Sequence, residues 1–446
     1  MQNAAAAGLV LAYFLWFAGP WILSGFTPDD LMNCHRALEQ PLWKLLLDHV
    51  TIFLPSPEFR PFGSLFYRAI YRSFGFHPLP FHVALYAVLI ANLYLTYRVV
   101  RAVTGVTSAA WIATVLHAWH GNWTGLHLNA GFCFDVFCYF FYTAALLAFG
   151  SGRLWLFLGL YLLGLNAKEI AVSLPLVCLA WQGADCRRSA IAAISAGLLT
   201  AIFISGRLMA PQGLGAIGPY TPQIDLATFV SRVGVFLDMS VYGHGRLVWA
   251  MAILGVAAGW SSIYHRRAAV VSLVLLFAGV LPVAFIEQRA LEAVYVPSLG
   301  AVILLALPPL SALLTRPLPA VLAALLLAGA FHHLRRDRRP EIHLAEANRI
   351  ASAAAQMRRA APCLPPGAQV LFVRDPFPRF EWNSMFLVRL VYNDMTIAVS
   401  QPGRPGSGQP VDYDAVFDWD PEGAVMRRIN RPPTSANRMP KNTPSK

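Results

Sequence analysis

Residues 154–181 read LWLFLGLYLLGLNAKEIAVSLPLVCLAW, an apolar stretch of 28 residues broken by Asn166-Ala167-Lys168-Glu169. How often this stretch crosses a bilayer decides the fold. As one helix it would be about 42 Å long, against a hydrocarbon core of about 30 Å, with Lys168 and Glu169 near its middle. As two crossings each half is short, and flanking residues or a thinned bilayer must make up the length. Basic residues decide between the two. With a cytoplasmic N-terminus, two crossings place Arg98/Arg101, Arg153, Arg187/Arg188, Arg266/Arg267 and Arg316 all inside, as the positive-inside rule requires. One crossing moves the later pairs outside. Against this, two crossings send the run Arg335-Arg336-Asp337-Arg338-Arg339 to the outer face. The expectation is two crossings, and about 11 transmembrane helices in all.

Composition points the same way. The 446 residues are 57% hydrophobic and only 13% charged, where soluble domains carry about 25% charged residues. The chain therefore reads as a polytopic α-helical membrane protein. Thirty-one of the 35 basic residues are arginine, a bias suited to a GC-rich bacterial genome, and the formal net charge is +12. Much of that charge sits in short loops and just past the last span, where it orients helices or meets anionic lipid, so nucleic acid is not indicated as a partner. Six cysteines stand singly, without the spacing of a zinc site or a disulfide framework. The N-terminus lacks a basic leader region and a cleavage site, so the first apolar segment reads as a retained anchor.

Elsewhere along the chain, the first span covers about Ala4 to Phe26. A first outer loop, residues 27–77, follows, with two amphipathic stretches at Leu31–Val50 and Ser64–Phe74 that suit the membrane surface. Between them lies the breaker-rich Pro55-Ser56-Pro57-Glu58-Phe59-Arg60-Pro61. Further spans fall near Pro80–Arg98, Ser108–His120, Gly131–Phe149, Ser189–Met209, Leu247–Tyr264, Ala268–Ile286, Tyr295–Leu314 and Leu318–Leu334. The transmembrane region thus occupies residues 1–340. Composition then shifts, and residues 341–430 read as a small soluble α/β domain. Helices are expected at Glu341–Ala361 and Asn383–Tyr392, and strands at Gln369–Val373, Thr396–Ser400 and Tyr413–Asp418. Residues 431–446 read as a disordered tail.

The polar residues of the membrane region carry the chemistry, because charge in or beside a bilayer is expensive. Two crossings bring Asp29, Asp30, Arg60, His117, His120, Asp135, Lys168, Glu169, Glu287, Arg289 and Glu292 to one face. Adjacent carboxylates at Asp29-Asp30 oppose each other's ionisation, which raises one pKa and suits proton transfer. The same pair is ordinary N-cap material at a helix start. His117 and His120 equally read as interfacial packing, and no further ligands at metal spacing accompany them, so no metal is indicated. Lys168-Glu169 also reads as a helix-terminal ion pair of small worth, and Arg289 as a topology anchor.

These pieces, taken in order, resemble the GT-C superfamily of glycosyltransferases that use polyprenyl-phosphate sugars, including protein O-mannosyltransferase-like members. The acidic pair Asp29-Asp30 opens the first outer loop. Phe59-Arg60-Pro61-Phe62, followed by Gly75-Phe76-His77-Pro78 and Phe81-His82, is similar to the family's YRP…FGxxP…FH stretch. Asn166-Ala167-Lys168-Glu169 before Pro175 is similar to SKE…LP, and Glu287-Gln288-Arg289 with Tyr295-Val296-Pro297-Ser298-Leu299-Gly300 to ERxLYLPSLG. His117-x-x-His120 and Gly131 to Asp135 echo the segment between. The likeness covers residues 1 to about 315. The chain departs from the pattern at Phe59, at Asn166-Ala167, in the spacing of Arg289 from Tyr295, and in lacking tetratricopeptide repeats.

The resemblance implies a GT-C-like membrane glycosyltransferase with an inverting reaction. A sugar moves from a polyprenyl-phosphate donor to a hydroxyl of a glycan, lipid or protein acceptor on the periplasmic face of a bacterial inner membrane. Asp29 or Asp30 would be the general base, with Asp29 preferred as nearer the membrane end of the loop. Arg60, Lys168 and Arg289 would hold the lipid phosphate, and Glu169, Tyr295, His120 and Asp135 complete the expected substrate-binding set. No cofactor is implied. A transporter or flippase of lipid-linked sugars, using the same cations without bond cleavage, remains open, as does a non-catalytic scaffold.

Overall fold

The structure is a computed structural model that describes residues 1–52, 60–181, 186–209, 222–241, 247–286, 291–307, 316–334, 339–377, 382–401, 413–422 and 425–428. Helix α1 (Gln2–Ala18) runs into a 3₁₀ turn that ends at Leu23. Among the described residues of 27–77, three helices form where two amphipathic stretches are expected. Pro28 opens α2 (Pro28–Glu39), Pro41 separates it from α3 (Leu42–Val50), and Pro61 opens α4 (Pro61–Phe74). Proline is tolerated at a first turn, where its missing N–H has no partner to lose. The Pro55–Phe59 part of the breaker turn lies outside the described residues.

Gly75, at φ +66°, closes α4, and Pro78 opens α5 (Pro78–Thr104) only three residues later. Next come α6 (Thr107–Ala118), a bent connection carrying the short α7 (Gly125–Leu128), and α8 (Cys133–Gly150). The 154–181 stretch is interrupted as its polar residues demand. Helix α9 (Leu154–Ala167) stops where Lys168 turns extended, a 3₁₀ turn spans Glu169–Ser173, and α10 (Leu174–Ala180) follows with Pro175 in its first turn. Asn166 helps end α9 by donating its amide to Leu162 O and to His49 O of α3.

Packing shows that this stretch doubles back. Lys168 meets Asp135 in the first turn of α8. At the other end of α8, a Cβ on Gly150 would lie 3.2 Å from the Trp181 ring, just past α10. Both ends of α8 are thus matched by the two ends of the hairpin's returning arm.

Among the described residues, the further helices before the C-terminal part are α11 (Cys186–Leu208), α12 (Leu226–Ser240), α13 (Leu247–Tyr264), α14 (Arg266–Val280), α15 (Ser298–Ala306) and α16 (Pro317–Leu334). Among the described residues, five helical segments are long and apolar enough to cross a membrane: Gln2–Leu23, Pro78–Thr104, Ala130–Gly150, Ser189–Leu208 and Leu247–Tyr264. Val248, Trp249, Val256 and Ile263 stand exposed along α13, which suits contact with lipid tails rather than water. The protein is a helical membrane protein.

The C-terminal part is built on α17 (Arg339–Ala360), β1 (Gln369–Phe372), α18 (Asn383–Tyr392), β2 (Ala398–Ser400), β3 (Ala415–Asp420) and β4 (Val425–Arg428). The sheet order is β2-β1-β3-β4, with β1 parallel to both neighbours and β4 antiparallel to β3. The sequence shows both helices and three strands. It does not show β4, whose VMRR has only Met426 buried and reads as a polar loop. The tail 431–446 lies outside the described residues. Helices α17 and α18 join where the Tyr392 hydroxyl donates to Met357 O and Ala361 O. This region rests on the segment between α1 and α5: a Cβ on Gly25 would lie 3.2 Å from Ala347 O on α17, and the Tyr71 hydroxyl on α4 donates to Leu390 O on α18 at 2.6 Å.

Candidate functional site

The acidic pair opens α2, and its two members have separate surroundings. Asp30 is fully buried. Its Oδ2 accepts the Thr27 backbone N–H at 2.7 Å, closing a capping box, and its Oδ1 accepts the Tyr67 hydroxyl at 2.6 Å. Burial pushes its carboxyl up to about 6, against the pull of the Thr27 and Tyr67 donors; the nearby Asp29 charge adds least. The pKa of one carboxylate does rise, but desolvation rather than the neighbouring charge is the main cause. Asp29 is the exposed member. Of the two alternatives for this pair, cap and base, Asp30 takes the cap and leaves Asp29 facing outward.

Asn129, which the sequence reading did not single out, organises this turn. It is 2% exposed and donates its amide to Asp29 Oδ2 at 3.2 Å. Its Oδ1 accepts the Gly131 N–H at 2.7 Å and lies 2.9 Å from the Thr27 hydroxyl, which also reaches Asp30 Oδ2 at 2.9 Å. The Asn129–Gly131 bond is an Asx turn, and Asn-x-Gly ahead of a helix is its signature. That signal was available in the sequence. Gly131 is also required by space, since a Cβ there would lie 2.8 Å from the Asp29 Cβ.

Four residues of the expected set come together a few positions further on. Lys168 Nζ donates to Asp135 Oδ1, with both side chains almost wholly buried. Arg60 forks onto Glu169, with Nη2 to Oε1 at 2.8 Å and Nε to Oε2 at 3.2 Å, both about a quarter exposed. The Arg60 guanidinium also lies 5.3 Å from the centre of the Phe134 ring. A Cβ on Gly63 would strike that ring at 1.9 Å, so glycine lets α4 close on Phe134. One short stretch, Asn129–Asp135, therefore touches every part: Asn129 and Gly131 meet Asp29, Phe134 lies under Arg60, and Asp135 meets Lys168. Two cations and two carboxylates cancel, so a phosphate entering here must share Arg60 with Glu169.

His120 and Tyr295 belong to an aromatic cluster. His120 stacks on Trp123 with ring centres 4.0 Å apart, and Tyr295 stacks on His117 at 4.7 Å, which in turn stacks on Tyr139 at 4.6 Å. All are buried. They form a buried aromatic core, which matches the interfacial-packing reading of His117 and His120. Glu292 is nearer the site than expected for its distance in sequence, its carboxylate resting against Gly125 and beside Phe132. Arg289 lies outside the described residues. Among the described residues there is no group of three or more side chains fit to hold a metal ion.

The chain matches no model of a known protein family, and no curated protein is significantly similar to it.

Proposed function

We propose that this protein is a membrane glycosyltransferase that moves a sugar from a polyprenyl-phosphate donor to an acceptor hydroxyl on the outer, periplasmic face of a bacterial inner membrane. The observation that supports this reading best is the exposed Asp29, oriented by a buried amide at one end of a stretch whose other end seats the Arg60 and Lys168 cations. In the reaction the acceptor oxygen attacks the anomeric carbon and its proton passes to Asp29. The bond from that carbon to the phosphate oxygen breaks, and polyprenyl phosphate leaves with inversion. Arg60, shared with Glu169, offers a planar fork to the departing phosphate, and Lys168, buried against Asp135, contributes its charge only if the phosphate displaces that carboxylate. Arg289 belongs to the same set by resemblance. The acceptor is a glycan, lipid or protein hydroxyl, and no cofactor enters the scheme.

The topology that goes with this reading has eleven spans, in which α9 and α10 cross separately. The acidic turn, the Lys168 turn and a small domain of residues 341–430 then share the outer side. Cysteine placed at Gly152 should label from the cytoplasmic side and at Glu169 from the periplasmic side; labelling of both from one side would end this topology.

The charge balance of the Arg60–Glu169 and Lys168–Asp135 pairs also suits a flippase, which needs no base. Asp29→Asn separates the readings. In membranes supplied with polyprenyl-phosphate sugar, transfer should fall by roughly 10²–10⁴-fold, the usual contribution of a general base, while donor binding survives. Full transfer by folded Asp29→Asn protein would remove Asp29 from the mechanism, and lipid-linked sugar moved without transfer would favour the flippase.

A further inference from the structure

Helix α2 has two ends with different attachments. Its first turn carries Asp29 and Asp30. Its last turns carry His35 and Glu39, and these meet α18 of the C-terminal sheet region. Arg389 Nη1 lies 3.0 Å from His35 Nε2, and the same guanidinium donates Nε to Ile397 O at 2.9 Å and approaches Glu39 Oε1 at 3.8 Å. His35 Nδ1 lies 3.5 Å from Glu39 Oε2, and the imidazole packs on the Phe386 ring with centres 4.7 Å apart. His35 is 2% exposed, so this contact is part of a closed interface.

A second link runs parallel to the first. Tyr67 and Tyr71 stand four residues apart on α4 and so share one face of that helix. Tyr67 donates to Asp30 at the start of α2, and Tyr71 donates to Leu390 O on α18. The acidic turn is thus tied to the C-terminal region through α2 itself and through α4. A helix held at both ends transmits a shift at one end to the other, because packed elements move as rigid pieces.

We infer that the C-terminal sheet region is a clamp on α2, with Arg389 as a positioning residue that sets where Asp29 stands. This inference rests on the glycosyl-transfer reading for its catalytic consequence, and on geometry alone for the clamp. It gives the small C-terminal domain a part in the reaction, since the region fastens the helix that begins with the proposed base. Arg389 touches no substrate in this scheme; it acts through His35 and α2.

The test uses the full-length protein in detergent and in membranes. Arg389→Ala should speed hydrogen exchange of the Leu31–Leu38 amides by about tenfold or more, the effect of losing a charge-assisted contact. His35→Leu removes the same contact from the other side and should do likewise, and the double variant should add little to either, as coupled partners do. Arg389→Lys should restore part of the protection. Arg374→Ala breaks an exposed pair with Asp418 elsewhere in the same region and should leave α2 unchanged. In the transfer assay Arg389→Ala should lower kcat by up to about a hundredfold while KM for the polyprenyl-phosphate donor stays level, the pattern of a misplaced base. Unchanged α2 exchange in both Arg389→Ala and His35→Leu, or strictly additive effects, would overturn the clamp. Transfer absent from the wild-type protein would sink the enzymatic reading, and the exchange arm would still decide the clamp.

Discussion

The Asn129 carboxamide donates to Asp29 across 3.2 Å while its oxygen accepts the Gly131 N–H. A buried side chain thereby fixes the orientation of an exposed carboxylate. Asn129→Ala should lower transfer by about tenfold to a hundredfold at unchanged donor KM, because orientation rather than binding is lost. Asp30 behaves differently. Asp30→Ala strands the Thr27 N–H and the Tyr67 hydroxyl, and should cost about 1–3 kcal/mol of stability, read as a lower midpoint of thermal unfolding. Tyr67→Phe should share part of that loss, and an Asp30→Ala protein of wild-type stability would contradict its capping role.

Gly131→Ala probes the same turn sterically. The added methyl would lie 2.8 Å from the Asp29 Cβ and 2.7 Å from Asn129 Oδ1. Both neighbours are held by backbone or by hydrogen bonds, so the turn must shift and transfer should fall about as far as in Asn129→Ala. Gly159→Ala, which meets nothing within 4 Å on α9, serves as the comparison and should keep full activity. Equal activity in both variants would show that the turn tolerates displacement.

The Lys168–Asp135 pair is almost wholly buried. Lys168→Met leaves Asp135 without its cation and should destabilise the protein by about 3–5 kcal/mol. Adding Asp135→Leu should recover most of that loss, since two apolar groups replace two charges. The measurement is folded yield and thermal midpoint of the three variants in detergent. If the double variant is no better than Lys168→Met, the Asp135 charge is not what the single substitution exposes.

Acid should loosen the α2 interface through His35. Burial, and then the adjacent Arg389 charge, pull its imidazole down from 6.5 to about 4, while the Glu39 carboxylate faces it from the same helix. The unfolded chain therefore takes up this proton first. The stability His35 contributes is complete above about pH 6.5 and declines as pH falls toward 4, each tenfold weakening of proton binding being worth about 1.4 kcal/mol at most. Asp30, raised to about 6, works in the opposite direction over nearly the same range, because the folded protein binds its proton first. The informative quantity is the stability of wild type minus that of His35→Gln, which should shrink as pH drops from about 6.5 to 4. A flat difference would show that His35 titrates alike folded and unfolded.

Much of the helical plan was readable because apolar runs and prolines speak locally. Leu247–Tyr264 and Asn383–Tyr392 match their helices residue for residue, and the break at Asn166–Glu169 is marked by the polar residues themselves. Pro41 was visible too, yet the helical spacing of Leu31–Val50 hid the split between α2 and α3. Within the site, the grouping of Arg60, Asp135, Lys168 and Glu169 on one side followed from topology. Their partnering did not, because whether a cation waits for a ligand or already holds a carboxylate depends on distances between residues 33 and 109 positions apart. Asn129 and Tyr67 escaped for a related reason: neither is ionised near neutral pH, and a search for charged groups passes over the donors that orient them. The embrace of α2 by Arg389 lay beyond any local signal, the two ends being 354 residues apart.

The order of the paired charges along the chain bears on how the protein is made. Arg60 on the outer loop and Asp135 at the head of α8 are both synthesised before Lys168 and Glu169 at the tip of the hairpin. Synthesis runs from the N-terminus, and early segments begin to assemble first. By the time residues 168 and 169 are made, the partner of each has already been synthesised. Each charge of the 168–169 turn thus pairs with a residue made before it, the order that the two-crossing topology proposed above would use to neutralise them on insertion.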